Sequence, residues 1–197
     1  MRRRPPCSLV PVLVAALFAA ATPGRADPLF QDDEALEVTL TAPLTTLVRE
    51  RPTEEELQGT LTYPGDDGDA VTLDVRIRAR GHSRHRLCDL PPLWLNFKKS
   101  EVKDTLFHKQ DKLKLVVPCH TSERAEKDLV EEYAIYRIFN LLTPASYRVR
   151  LARMTFEDTA GDGDSVGIHS FLLEPDGRLA ARLGGETPDL TEVSLSW

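Results

Sequence analysis

The chain contains 197 residues, of which 25 are basic and 31 acidic, so its formal net charge at pH 7 is −6. This excess of acidic residues argues against a general nucleic-acid-binding surface, because such surfaces concentrate lysine and arginine. The length is that of one domain with a single sizeable hydrophobic core.

The N-terminal segment 1–26 has the pattern of a secretory signal peptide. Three arginines at positions 2–4 precede a short apolar run, and the small residues Gly24 and Ala26 suit a cleavage site after Ala26. The apolar run is shorter than the roughly 20 residues that a membrane-spanning helix needs. We therefore predict an exported protein, periplasmic or extracellular, without a transmembrane segment after cleavage. An uncleaved membrane anchor is the alternative.

Alternating apolar and polar residues predict a series of strands after the signal peptide. Residues 27–58 form an acidic extension with one strand. Residues 59–63 and 71–79 then form a hairpin around a turn rich in glycine and aspartate. The strand at 71–79 carries apolar residues on one face and charged residues on the other, as in a sheet with one buried face. Further strands are predicted at 93–97, 113–117, 147–151 and 168–173.

One long helix is predicted at 124–142, where apolar residues recur at helical spacing. Thr121 or Ser122 is suited to cap its start by accepting a hydrogen bond from a free backbone N–H. Pro144 ends the helix, because the residue before a proline avoids helical dihedral angles.

The order of elements predicts an α+β fold: a mainly antiparallel sheet with the long helix packed on its apolar face. A short helix is predicted at 176–183, near the end of a core domain that spans 59–185. Residues 186–197 have no periodic pattern and are predicted to be an irregular tail.

Two cysteines, Cys88 and Cys119, remain after removal of the signal peptide. In an oxidising compartment the simplest interpretation of such a pair is a disulfide. A zinc site that adds His82, His85 or His120 is an alternative, although the spacing is irregular and no CxxC or HExxH motif is present. Free thiols are the other alternative.

The densest polar cluster begins on the charged face of the strand at 71–79 and continues into a loop. Arg80, Gly81 and Ser83 could hold a phosphate there, through the guanidinium charge, a glycine turn and a hydroxyl group. The alternative is an ordinary solvated strand face.

Two further sets of charged residues could take part in phosphate binding. Lys98 and Lys99 follow a predicted strand, and Glu131 and Glu132 lie on the long helix, where one could pair with a strand lysine. Each set is also typical of a solvated surface. We predict no catalytic residue and no metal site from the sequence.

Four short segments follow one another along the core: residues 75–84 (VRIRARGHSR), 96–99 (NFKK), 112–115 (KLKL) and 171–174 (FLLE). Their order resembles that of the motifs of the CotH family, the spore-coat type of atypical protein kinase. The resemblance covers roughly residues 71–183, and each motif has low specificity by itself. The chain resembles more closely the secreted bacterial proteins of unknown function that share this pattern as distant relatives of that family.

The resemblance implies a kinase-N-lobe-like fold that binds ATP and Mg²⁺. Gly81 and its neighbours would lie over the phosphates, a lysine would contact phosphate, and a helix glutamate would position that lysine, as in ordinary kinases. Glu174 would mark the hinge. The cofactor-binding residues that it implies are Arg80, Gly81, Ser83, Lys98, Lys99, Glu132 and Glu174.

The chain departs from the family pattern in one respect that affects function. The catalytic loop and metal-binding aspartates of the family lie in a C-lobe, and no matching motif occurs before Trp197. We therefore expect weak nucleotide or phosphate binding without catalysis by this chain alone. The alternative is a non-enzymatic cell-envelope module whose arginine face contacts an acidic partner, such as another envelope or secreted protein.

Overall fold

The computed structural model describes residues 27–161 and 165–187, so the predicted signal peptide and most of the tail lie outside the described residues. The strands are Leu36–Ala42 (β1), Leu57–Pro64 (β2), Ala70–Ala79 (β3), Leu93–Phe97 (β4), Lys112–Val116 (β5), Val149–Asp158 (β6) and Val166–Leu173 (β7). The helices are Leu44–Glu50 (α1), Arg84–Leu87 (α2), Glu123–Leu142 (α3) and Asp176–Arg182 (α4), and a 3₁₀ turn spans Pro28–Phe30.

The strands close into a barrel in the order β1-β2-β3-β4-β5-β7-β6. Neighbouring strands are antiparallel except at the closure, where β1 pairs in parallel with β6 from Leu36 opposite Ala152 to Ala42 opposite Asp158. The predicted kinase-N-lobe-like α+β fold, an open sheet with a helix on one face, is therefore wrong. The prediction failed for a physical reason. The alternation of apolar and polar residues along a strand shows which side chains face the core, and this pattern is the same in an open sheet and in a barrel.

The interior of the barrel is the main hydrophobic core. Strand residues that alternate along β3 and β4, among them Ile77 and Leu95, are fully buried inside it. Phe107, from the connection between β4 and β5, is also fully buried and contacts the rings of Tyr63 and Phe97 at centroid distances of 5.2 and 5.3 Å. Each such side chain contributes about 1.5–3 kcal/mol of transfer free energy to folding.

Gly59 on β2 allows the close approach of β1. A Cβ atom at this position would lie 2.7 Å from the backbone oxygen of Thr41 and 2.9 Å from the Cβ of Ala42. Both contacts are too short for any real side chain, so the pairing of β1 with β2 requires glycine here.

Helix α3 covers part of the outer wall of the barrel. Ser122 caps it by accepting a hydrogen bond from the backbone N–H of Ala125 at 3.2 Å, as the sequence suggested. Its inner face forms a second hydrophobic cluster, in which Leu129 packs with Val116 and Phe171. The outer face carries large apolar side chains that are exposed by half or more: Ile135, Ile138, Phe139, Leu141 and Leu142.

The predicted disulfide is confirmed: Cys88 is bonded to Cys119. It joins the end of α2 to the segment between β5 and α3, where the backbone N–H of Asp89 also donates to the carbonyl of Cys119 at 2.8 Å. Across residues 27–161 and 165–187, no helix combines the length and the apolar character that crossing a membrane requires.

Candidate anion-binding pocket

A cavity of about 320 Å³ opens where the loop after β3 meets β5 and α3. Its charged wall comes from three cations and one carboxylate, and two tyrosines of α3 and the segment before β6 form an aromatic wall. The residues that line it include Arg80, Gly81, Ser83, Arg84, Lys114, Glu132, Tyr136 and Tyr147.

The loop between β3 and α2 is shaped by its backbone. The N–H of Arg80 donates to the carbonyl of Pro92 at 2.8 Å, which holds the loop against the start of β4. Gly81 has a φ of 95°, a conformation that favours glycine because it lacks a Cβ. The chain then turns back, and α2 begins directly after Ser83, so the hydroxyl-bearing residue lies at the edge of the cavity.

Arg80 lines this cavity and has an unsatisfied hydrogen-bond donor. Its Nε atom is buried and has no hydrogen-bond partner among the described residues. Burial and, next, the charge of Arg84 lower the pKa of Arg80. Because a buried donor without an acceptor is costly, this guanidinium would gain from an anion in the cavity.

Lys114 is a buried cation on the outward face of β5, with only 7% of its surface exposed. Its Nζ lies 2.5 Å from Oδ1 of Asp176 and 5.0 Å from the ring centroid of Tyr147. The hydroxyl of Tyr147 donates to the same Oδ1 at 2.6 Å. Lys114 is thus fixed in position by one carboxylate and one aromatic ring.

The ionisation of this cluster follows from its hydrogen bonds. Burial alone would raise the pKa of Asp176, but the hydrogen bonds from Lys114 and Tyr147 outweigh it and hold that pKa below its usual value. The hydrogen bond to Asp176, together with burial, raises the pKa of Tyr147 to about 12. At neutral pH Asp176 is therefore a carboxylate and Tyr147 a neutral phenol.

Arg84 anchors α2 beside the cavity. Its Nη2 donates to the carbonyl of Val117 at 3.0 Å, and its Nη1 lies 3.4 Å from Oε2 of Glu132. The cavity is lined by three basic side chains, Arg80, Arg84 and Lys114, and two carboxyl groups lie in or beside it, those of Glu132 and Asp176. The local surplus is positive, although the whole chain is acidic.

The structure brings together four of the seven residues predicted to form the cofactor-binding site. Arg80, Gly81 and Ser83 line one side of the cavity, and Glu132 lines another. Glu131, the alternative to Glu132, is exposed on α3.

Lys98 and Lys99 lie away from this cavity. β4 begins next to the pocket and ends at Phe97, so these lysines are separated from it by the length of a five-residue strand, roughly 17 Å. They are exposed and pair with acidic neighbours, Lys98 with Glu101 at 2.9 Å and Lys99 with Asp111 at 3.2 Å.

Glu174 is buried just after β7, with 1% of its surface exposed, and is not among the residues that line the cavity. Its Oε2 accepts from Nη2 of Arg182 at 2.8 Å and from the backbone N–H of Arg148 at 3.2 Å. These contacts hold α4 against the start of β6.

The zinc alternative lacks its thiolate ligands, because Cys88 and Cys119 form the disulfide. Among residues 27–161 and 165–187, no group of three or more histidine, cysteine or acidic residues is arranged to hold a metal ion. His85 instead bonds through Nε2 to the carbonyl of Arg51 at 2.9 Å, and Arg51 donates to the carbonyl of His85 at 2.6 Å. This reciprocal pair ties α2 to the end of α1.

Three residues of the site were not predicted from the sequence: Lys114, Tyr147 and Asp176. One feature of the sequence could have pointed to Lys114: it occupies the outward position of the KLKL strand. In the structure it lies opposite Trp94 of β4. No comparable signal marks Asp176, which reaches the site only because α4 folds back toward β5.

Trp94 lies at the centre of a cationic surface next to the cavity. The charged groups of four residues are within 5.5–5.9 Å of its ring centroid: Arg78, Arg80, Lys112 and Lys114. Glu56 partly balances this surface, at 3.2 Å from Arg76 and 3.9 Å from Arg78.

Comparison with protein-family models, with curated proteins and with solved structures found no match for this chain. The resemblance to the CotH family therefore remains a prediction from short motifs.

Proposed function

We propose that this protein is an exported binding domain whose pocket beside Arg80 holds a phosphate-bearing ligand. The observation that carries the proposal is the position of Arg80, which lines a cavity together with Lys114 and the hydroxyl-bearing Ser83. Its buried Nε atom has no hydrogen-bond acceptor among the described residues. Hydrogen bonds between charged donors and phosphate oxygens are about twice as strong as neutral ones.

A binding role is favoured over a catalytic one by the pairing of the acidic groups. Glu132 faces Arg84, and Asp176 accepts from both Lys114 and Tyr147. Carboxylates paired in this way are poorly placed to hold a metal ion or to accept a proton from a substrate, which phosphoryl transfer requires. The disulfide between Cys88 and Cys119 and the predicted signal peptide favour export.

The test is a thermal-shift titration of the purified protein with inorganic phosphate and, separately, with Mg-ATP. A ligand that binds only the folded state raises the melting temperature in proportion to ln(1 + [L]/Kd). We expect an increase that grows with the logarithm of the ligand concentration above Kd, that Arg80→Gln abolishes and that Lys98→Gln, on the far end of β4, retains. No shift in a folded sample, or an equal shift in Arg80→Gln, would contradict the proposal.

A second candidate function rests on the cationic surface around Trp94. Four cations about one indole ring suit an extended acidic partner from the cell envelope, since such a surface attracts polyanions. Binding of a polyanion such as polyglutamate would change the fluorescence of Trp94, and Lys112→Gln, which lies outside the pocket, would weaken it. Phosphate binding that is unaffected by Lys112→Gln would favour the pocket instead.

A further inference from the structure

An apolar groove on α3 lies next to the anion pocket. A second cavity, of about 350 Å³, is lined by Ile135, Phe139 and Ala145, and it shares Glu132, Tyr136 and Tyr147 with the anion pocket. The rings of Tyr136 and Tyr147 meet edge to face, with their centroids 6.2 Å apart, and form the wall common to both cavities.

The groove exposes apolar surface to solvent. Ile135 is 55% exposed and Phe139 is 52% exposed. They lie one turn apart on the same side of the helix, about 6 Å along its axis. Contiguous apolar side chains at the surface of a soluble protein commonly mark a place where a ligand or partner binds.

We propose that the pocket and the groove together bind a single-chain lipid phosphate, with its phosphate group beside Arg80 and its acyl or alkyl chain along α3. This inference rests on the proposed function, because the head group needs the anion pocket. One ligand then accounts for two independent features: the buried Nε of Arg80, which has no acceptor among the described residues, and the exposed apolar groove beside Tyr136 and Tyr147.

The chemistry of the groove matches an apolar chain better than a second anion. Its outer edge is formed by Ile135 and Phe139, and the polar side chain of Ser146 donates internally to the carbonyl of Thr143 at 2.8 Å. The cations that would attract an anion lie on the other side of Tyr136 and Tyr147. A chain that leaves the phosphate site past these two rings therefore meets apolar surface.

The experiment measures the affinity of the purified protein for ethyl, butyl, hexyl and octyl phosphate by calorimetry, below their micelle-forming concentrations. We expect the dissociation constant to fall about two- to fourfold for each added methylene, where fourfold is the value for a methylene that becomes fully buried. Ile135→Ser and Phe139→Ser should remove this dependence on chain length and keep the affinity for ethyl phosphate. Leu141→Ser is the matched control: it changes an 85% exposed residue of the same helix that does not line the groove, and it should keep the full dependence.

The outcomes separate the two proposals. Binding of no alkyl phosphate would contradict the proposed function itself. Binding of ethyl phosphate without any gain from longer chains would overturn only the lipid inference. A gain that persists in Phe139→Ser and Ile135→Ser would also overturn it, because the chain would then lie elsewhere. A dimer in light scattering that these two variants dissociate, with no gain from longer chains, would assign the groove to a second copy of the protein instead.

Discussion

Nη2 of Arg178 donates a hydrogen bond to Oδ2 of Asp27 at 2.7 Å, across a separation of 151 residues. The other carboxylate oxygen of Asp27 accepts from Nε2 of Gln110, also at 2.7 Å. Burial raises the pKa of Asp27, while the charges of Arg178 and Arg148 act in the opposite direction. The residue directly after the predicted cleavage site is thus buried, and its charged form depends on an arginine of α4.

Removing that arginine should destabilise the protein most at neutral pH. Arg178→Gln would leave a buried carboxylate without its closest cation, and we expect a loss of about 3 kcal/mol in the free energy of unfolding at pH 7. Because the folded-state pKa of Asp27 is raised, its charged form opposes folding, and this cost grows as pH rises through that pKa. The loss in the free energy of unfolding should therefore become smaller as pH falls toward the unfolded-state pKa of Asp27.

Urea unfolding at pH 7 and pH 4.5 measures this effect. Arg49→Gln serves as the control, because the side chain of Arg49 is 67% exposed and pairs only at the surface. A double variant with Asp27→Asn should lose less than Arg178→Gln alone. An equal loss at both pH values would show that the arginine acts through packing rather than through the charge of Asp27.

Asp176→Asn should weaken the cluster that fixes Lys114. We expect a loss of about 1–3 kcal/mol at pH 7, since a buried ammonium group would lose its charged acceptor. The folded-state pKa of Asp176 is lowered. Its contribution to the free energy of unfolding is therefore fully present above the unfolded-state pKa and is lost as pH falls through the folded-state pKa. The difference between wild type and variant should thus shrink near pH 3 in chemical denaturation, and Asp66→Asn in the exposed turn after β2 is the control.

Loss of the disulfide should lower the free energy of unfolding by about 3–4 kcal/mol, the chain-entropy value for a loop of this size. Cys88 and Cys119 are separated by 31 residues. Guanidinium unfolding with and without reductant measures the change. The variant Cys88→Ala, Cys119→Ala should match the reduced protein and show no further response to reductant. A large response in that variant would place the redox-sensitive group elsewhere.

Gly59→Ala should strain the contact between β1 and β2. The new methyl group would meet backbone atoms of β1, which cannot rotate away as a flexible side chain could. We expect a loss of about 1–3 kcal/mol, as for other overpacked positions. Gly167→Ala on β7 is the control, because a Cβ there has no neighbour within 4 Å. Equal melting temperatures of the two variants would show that β1 can shift without cost.

The positions of strands and of the long helix could be predicted because alternation and helical spacing are local. Closure of the barrel could not, because it depends on which strand edges meet: β1 pairs with β2 on one side and with β6 on the other. The candidate site shows the same difference between local patterns, which could be predicted, and contacts between distant segments, which could not. Arg80, Gly81 and Ser83 are close in sequence and were found together, whereas Lys114 looks like any outward strand lysine until Asp176 and Tyr147 pack against it.

The parallel closure of the barrel also bears on how the chain is made. Thr41 on β1 donates to Glu157 on β6 at 2.8 Å, and the two residues are 116 positions apart. A ribosome releases β1 long before its second partner, so one edge of β1 stays unpaired while most of the remaining chain is synthesised. Unpaired strand edges template the pairing of other chains, and contacts this distant form slowly. The nascent chain is therefore most exposed to strand exchange and aggregation before β6 emerges, and a chaperone that shields the edge of β1 would act in that interval.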